Sequence, residues 1–348
     1  MRPDVLVDAD VLGRRRTGDE SYVEGLLHEL PVAAPDLRFS AVTRHPEQVP
    51  EGVQATRLGA RSQALRMGAR LPLLLRRLRP RVLHTLYVLP PGFRGRTVVT
   101  VHDISFERHP ELMSGRDRLL FRTLVPRSAR RADRVLTGSE WTKRELVERY
   151  GLPPNKVIVT PYGIDPLFRP EGSRPERAPY LLFVGAIQPR KDPVTAVEAL
   201  ARLDGDLTLV LVGPEKGGGA AVGQAVLRAG LERRVETLGH VEREELAALY
   251  RGAACLVFPS WYEGFGLPVL EALASGTPVV ASNAGALPEV TGDAAVLVKP
   301  GDPASLAEGI SRALADRKTL VAAGLDRATR FSWAECARRT VNVYRSLL

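Results

Sequence analysis

Phe258-Pro259-Ser260-Trp261-Tyr262-Glu263-Gly264-Phe265-Gly266-Leu267-Pro268-Val269-Leu270-Glu271-Ala272-Leu273-Ala274 is the stretch that decides the fold. The residues entering it, 254–259, form a short continuous apolar run of the kind a strand buried on both faces requires. A loop with two glycines follows. A helix is expected from Leu267, with Pro268 in its first turn, where a missing N–H matters least. Strand, glycine loop and helix make the repeating unit of a doubly wound parallel sheet, whose ligands sit at the carboxyl ends of the strands. The free N–H groups of such a helix start attract anions, and Gly264 and Gly266 leave the backbone open to a diphosphate. Glu271, one turn into the helix, is then placed to accept hydrogen bonds from the sugar hydroxyls of a nucleotide.

The same rhythm extends in both directions. Strands are expected at 180–185, 207–213, 235–238, 278–281 and 294–298, each followed by a helical pattern. An earlier series has strands at 5–8, 38–43, 81–85, 97–102, 134–138 and 156–160, with helices near 20–30, 116–131 and 140–150. Ser139 is the expected N-cap of the last of these. Between the two series, Pro161, Pro166, Pro170, Gly172, Pro175 and Pro179 crowd a segment without periodicity. The expectation is an α/β chain of two doubly wound Rossmann-like domains. The first spans 1–165, a linker 166–179, the second 180–330, and a C-terminal helix, 331–348, packs back on the first. A length of 348 residues suits two domains. Two such sheets facing each other would enclose a cleft.

Composition narrows the function. No apolar run approaches the eighteen residues or so that a spanning helix needs, and the N-terminus lacks a secretory signal, so a cytoplasmic protein is expected. Cys255 and Cys336 cannot build a disulfide framework and read as small buried hydrophobes. The net charge of +9 is uneven: residues 1–170 carry 29 Lys and Arg against 19 Asp and Glu, whereas 171–348 carry 20 against 21. No acidic residue falls between Glu51 and Asp103, a window holding ten arginines. At helical spacing Arg66, Arg70, Arg77 and Arg81 line one side while Leu71, Leu75 and Leu78 line another. This stripe is a solvated face, or a contact with an anionic membrane at the inner face or with phosphorylated acceptors. No aromatic interleaving or nucleic-acid motif accompanies it, so nucleic acid is not an expected partner.

Gly185-Ala186-Ile187-Gln188-Pro189-Arg190-Lys191 closes the first strand of the second series. Adjacent cations there are suited to neutralising a departing diphosphate in place of a metal. In the first half, Thr100-Val101-His102-Asp103 puts a His and an Asp at a strand end, and Thr17 to Glu20 has capping-box spacing.

Glu263 and Glu271, eight positions apart within EGFGLPVLEALASGTPVVAS, and the continuation GALPEVTGDAAVLVKPGDPASLA resemble the retaining nucleotide-sugar glycosyltransferases of the GT-B fold, family four, and bacterial mannosyltransferases among them. The resemblance spans nearly the whole chain. It implies that Glu271 holds the donor ribose, that Glu263 contacts the transferred sugar, and that the backbone at Phe265, Gly266 and Leu267 meets the diphosphate. It further implies that Arg190 and Lys191 bind the donor phosphates, and that His102, in VHD, lies against the donor sugar. Gly18 stands where the family has a glycine loop facing acceptor and phosphate; the usual run has two glycines.

The expected activity is therefore a metal-independent, retaining hexosyl transfer, of mannose or glucose, from a GDP- or UDP-linked donor to a glycan, lipid or small-molecule acceptor. No cofactor is expected. Asp8-Ala9-Asp10 has the Asp-x-Asp form of metal-binding glycosyltransferases, but it sits at the end of the first strand without further carboxylates nearby in sequence, so no metal site is expected. The alternatives are a nucleotide-sugar epimerase or phosphorylase of related fold and a non-catalytic nucleotide-sugar binder. A dehydrogenase is disfavoured because Gly264 and Gly266 lack the third glycine of a dinucleotide fingerprint.

Overall fold

A computed structural model describes residues 2–13, 18–108 and 115–348. The chain forms two compact units, one of residues 1–163 with 332–348, the other of residues 164–331.

The first unit holds a seven-stranded sheet of β1 (Val5–Asp8), β2 (Phe39–Thr43), β3 (Val53–Arg57), β4 (Val82–Leu86), β5 (Arg96–Thr100), β6 (Arg134–Thr137) and β7 (Val157–Val159). Its order is β3-β2-β1-β4-β5-β6-β7, with every pair parallel. The second unit holds β8 (Tyr180–Val184), β9 (Thr208–Val212), β10 (Val235–Gly239), β11 (Cys255–Phe258), β12 (Val279–Ser282) and β13 (Val296–Val298), in the order β10-β9-β8-β11-β12-β13, again all parallel. The central strands are buried along their whole length because helices cover both faces. In the second sheet, Leu182, Val184, Leu256 and Phe258 meet Tyr250 and Leu273 on one face. Leu181, Phe183, Leu209 and Val257 meet Val197, Leu200, Leu306 and Ile310 on the other.

The strand absent from the sequence reading is β3. It lies at a sheet edge, and only Val53 of its five residues is buried, so it has no apolar run to betray it. Ser139 accepts from the Thr142 N–H and caps the helix Glu140–Tyr150. Thr17, and with it the capping-box reading, lies outside the described residues. Both cysteines are buried, and desolvation pushes each thiol up to about 12. The last helix, Trp333–Arg345, packs beside the helix Gly18–Ala33 in the first unit. At its far end the Tyr344 hydroxyl meets His84 Nδ1 at 2.6 Å, and His84 Nε2 meets the Thr100 hydroxyl at 2.7 Å.

The arginine stripe is corrected by the structure. Residues Arg66–Arg70 are wound as a π turn and the following helix, Leu71–Leu78, ends at Arg79 in left-handed conformation (φ 49°), so the four arginines do not share one helix face. Arg66 is fully buried, with Nη1 3.0 Å from Asp8 Oδ2, Nη2 on Asp8 Oδ1, and Nε 3.1 Å from Asp10 Oδ1. Arg44 Nε takes the same Asp10 oxygen at 2.9 Å. Arg81 lies beyond the helix, ahead of β4, and bonds Asp4 and the Leu348 carbonyl. Of the stripe arginines, Arg70 and Arg77 stay exposed on the winding segment, and Arg70 donates to the Gly59 carbonyl. The stripe fails because helical projection assumes a regular 100° step, which the π turn breaks just where the buried carboxylates of β1 need a partner.

Arg66→Met takes the paired cation from the buried Asp8 carboxylate, while Asp10 keeps Arg44. It is expected to lower stability by about 3 to 5 kcal/mol in chemical denaturation at pH 7, whereas exposed Arg77→Ala should change it by less than about 0.5 kcal/mol. Equal effects would remove the ionic cluster from the account of this unit.

Candidate active site

In each unit the loops leaving the carboxyl ends of the strands carry the residues singled out in the sequence.

In the second unit, β8 runs into a tight turn, Pro189–Lys191, and β11 runs into the Ser260–Gly266 loop. These strands are neighbours in the sheet, so their loops meet. Lys191 Nζ lies 2.5 Å from Glu263 Oε1, and Arg190 Nη1 lies 3.5 Å from the same oxygen while bonding the Tyr262 carbonyl at 2.5 Å. Glu263 is buried. Burial works against its charged form, but Lys191 and Arg190 outweigh burial and hold its pKa below the ordinary carboxylate value. Lys191 Nζ also stands 5.0 Å from the centre of the Phe258 ring. One buried carboxylate thus has two cations beside it.

The helix Leu267–Ala274 starts where Gly266 takes φ 104°, a conformation that side chains rarely adopt. A Cβ there would also lie 2.7 Å from the Leu287 side chain, so the helix start is tightly packed on that side. The Phe265 ring is buried edge-on to Phe331. Glu271, half-buried one turn in, accepts from the Tyr250 hydroxyl at 2.9 Å. Desolvation raises its pKa to about 7, with Tyr250 and Arg243 pulling the other way.

In the first unit, His102 follows β5 and is buried. Its Nδ1 lies 2.5 Å from the Tyr162 hydroxyl and its Nε2 lies 3.6 Å from Asp19 Oδ1. Burial lowers its pKa, while Asp19 and Asp103 act in the opposite direction. Asp103 instead accepts from the Ser105 N–H. Gly18 is exposed as the first residue of the helix Gly18–Ala33.

The structure therefore joins Arg190, Lys191 and Glu263 in one contact, and sets Phe265, Gly266, Leu267 and Glu271 around one helix start. Asp8 and Asp10 are held by Arg66 and Arg44. The sequence reading missed Tyr250 and Tyr162. Each is a polar-tipped aromatic in an otherwise apolar setting, and its partner is 21 or 60 residues away. No local spacing could show that.

Residues 165–326 match the family described as glycosyl transferases group 1, and residues 22–167 match glycosyltransferase family 4. The O-antigen chain mannosyltransferase B of Escherichia coli is 33% identical over 271 residues, covering 72% of this chain and 71% of that protein. The chain spans 51% to 57% of the length of other curated relatives it matches. Sucrose-phosphate synthase from Thermosynechococcus elongatus superposes with a TM-score of 0.83 at 25% identity over 100% of this chain and 99% of that one. Anabaena HepE in complex with UDP-glucose shares the fold, with a TM-score of 0.76 at 18% identity over 99% of each chain.

Lys191→Met leaves the buried Glu263 carboxylate short of its nearest cation. A loss of about 3 to 5 kcal/mol at pH 7 is expected in denaturation. Glu263 has a lowered folded pKa, so its ionised form stabilises the fold above the ordinary carboxylate value and that contribution fades as pH falls through the folded value. The penalty of the variant should shrink in acid for the same reason; a penalty independent of pH would assign it to lost packing instead.

Proposed function

The chain belongs to the group 1, family 4 glycosyltransferases, and from that premise we propose that it transfers a hexose, mannose in the first instance, from a nucleoside-diphosphate sugar to a glycan, lipid or small-molecule acceptor with retention of configuration. The observation that carries this reading is the Glu263 carboxylate set against Lys191 and Arg190, beside a helix start with Glu271 one turn inside. Glu271 takes the ribose hydroxyls, the backbone N–H groups at Phe265, Gly266 and Leu267 take the diphosphate, and Glu263 takes a hydroxyl of the transferred sugar. Identity to a protein named as a mannosyltransferase supports mannose, and hence a GDP-linked donor. The UDP-glucose held by a protein of like fold supports the UDP alternative.

Arg190 and Lys191 stabilise the leaving diphosphate. Charge develops there as the glycosidic bond breaks, and preorganised cations act most strongly on charge that appears in the transition state. The acceptor hydroxyl attacks the anomeric carbon from the face the diphosphate leaves, and the departing phosphate oxygen takes its proton. Gly18 and His102 serve the donor from the first unit, His102 against the sugar. Asp8 and Asp10 already neutralise Arg66 and Arg44, which supports a reaction that needs no metal at that Asp-x-Asp.

A peripheral contact with an anionic membrane rests on a smaller set than the sequence stripe: exposed Arg76 and Arg77 beside Leu73, which is 62% exposed on the same helix. No described helix is long and apolar enough to cross a membrane.

Glu271→Ala should weaken donor binding by about 1.5 to 3 kcal/mol in calorimetry with GDP-mannose and UDP-glucose. Because the wild-type carboxyl titrates near pH 7, donor binding should weaken as pH falls through that value, and Glu271→Gln should abolish the step. Unchanged affinity in Glu271→Ala would defeat the assignment. Arg190→Ala or Lys191→Ala should lower kcat about a hundredfold, and activity should persist in EDTA. Loss on chelation, restored by magnesium or manganese, would return Asp8 and Asp10 to the mechanism. For the membrane contact, anionic vesicles should pellet the protein at low salt and release it as salt rises, each arginine contributing about 1 kcal/mol; equal pelleting with neutral vesicles would overturn it.

A further inference from the structure

His102 is held by the structure in a way that fixes which of its nitrogens can donate. Its ring stands edge-on to three tyrosines, Tyr22 at 4.8 Å, Tyr162 at 5.5 Å and Tyr87 at 5.6 Å between centroids. Nδ1 faces the Tyr162 hydroxyl at 2.5 Å, while buried Nε2 makes no hydrogen bond among the described residues and has the Asp19 carboxylate 3.6 Å away. A neutral imidazole carries one proton. With that proton on Nδ1, the lone pair of Nε2 would face a carboxylate at 3.6 Å, which repels it. With the proton on Nε2, the N–H points toward the negative charge and Nδ1 is free to accept the Tyr162 O–H.

Tyr162 is itself seated by the fold. Its ring is stacked on Trp333, with centroids 6.2 Å apart and planes 17° apart, and a Cβ on Gly138 would lie 2.7 Å from it. Gly138 follows β6, Tyr162 follows β7 and His102 follows β5, so three adjacent parallel strands deliver the glycine, the phenol and the imidazole to one edge of the sheet.

We propose that Tyr162 is a positioning residue of the transferase site: its hydroxyl occupies Nδ1 of His102 and keeps the ring proton on Nε2, so that His102 meets a sugar hydroxyl as a neutral hydrogen-bond donor. The proposal rests on the reading of His102 as a sugar contact. Burial lowers the His102 pKa and raises that of Tyr162 well above the usual phenol value, so the phenol keeps its proton to donate and the imidazole stays neutral. Asp19 and Asp103 are the acidic groups acting on the ring, and His84 lies near enough to lose basicity through it. A sugar oxygen reaching Nε2 replaces the attraction that Asp19 supplies.

The test uses the full chain labelled with 15N-histidine. Long-range proton–nitrogen NMR correlations separate the two imidazole tautomers, and His102→Gln assigns the signal. Wild type should show the Nε2–H form, and Tyr162→Phe, which keeps the stacked ring but lacks the hydroxyl, should show a mixture. Release of nucleoside diphosphate from GDP-mannose or UDP-glucose should fall about tenfold in kcat in Tyr162→Phe with KM little changed. An Nδ1–H signal in wild type, or the same pure tautomer in Tyr162→Phe, overturns the proposal. Full turnover in His102→Gln overturns instead the sugar contact on which it rests, and the tautomer signal tells the two failures apart.

Discussion

Every strand in both sheets runs parallel to its neighbours, and the rest of the structure follows from that constraint. A parallel sheet needs a crossover after each strand, so its faces are covered and its polar loops are gathered at the carboxyl ends. In each unit the polar residues described above come from those ends: Arg190 and Lys191 after β8 and Glu263 after β11 in the second, His102 after β5 and Tyr162 after β7 in the first. Strand adjacency then decides which loops touch. β8 and β11 are separated by about seventy residues of chain yet hydrogen-bond to each other, and this places Lys191 against Glu263.

The two buried charge clusters show that similar residue types do different work. Arg66, Asp8, Asp10 and Arg44 pair off two cations with two carboxylates, tying the π turn and β2's exit to the end of β1. Among the described residues the two cations and two carboxylates balance. Arg190, Lys191 and Glu263 put two cations beside one carboxylate, close to the start of the helix Leu267–Ala274. The ratio of cations to carboxylates, more than burial, distinguishes the two clusters.

A polar seam does comparable work inside the first unit. His84, whose pKa burial drives down to about 3, bridges Tyr344 of the last helix and Thr100 of β5, and Tyr22 meets the same threonine at 3.0 Å. A neutral imidazole can accept on one nitrogen and donate from the other, so the seam is satisfied without a buried charge. At the other end of that helix Trp333 packs where Gly25 leaves room for its ring, and it is the ring on which Tyr162 stacks. The closing helix thus supports the side chain that orients His102.

The sequence by itself determined the fold class and the family, because strand-loop-helix alternation is a local pattern and the Glu263 to Glu271 stretch carries its glycines, its proline and its acidic residues within one loop and one helix. It also determined which residues stand at strand ends, since a run of apolar residues marks where a buried strand stops. Only the tertiary structure decided what those residues meet. Arg66 looked like one of a row of surface arginines until a π turn brought it to Asp8 at the end of β1, 58 positions away. Tyr162 and Tyr250 carried no mark in the sequence, because a hydroxyl's partner is set by which strands lie side by side. Spacing along the chain is blind to that order; in a parallel sheet, strand order decides which charges and hydrogen-bonding groups face each other at the site.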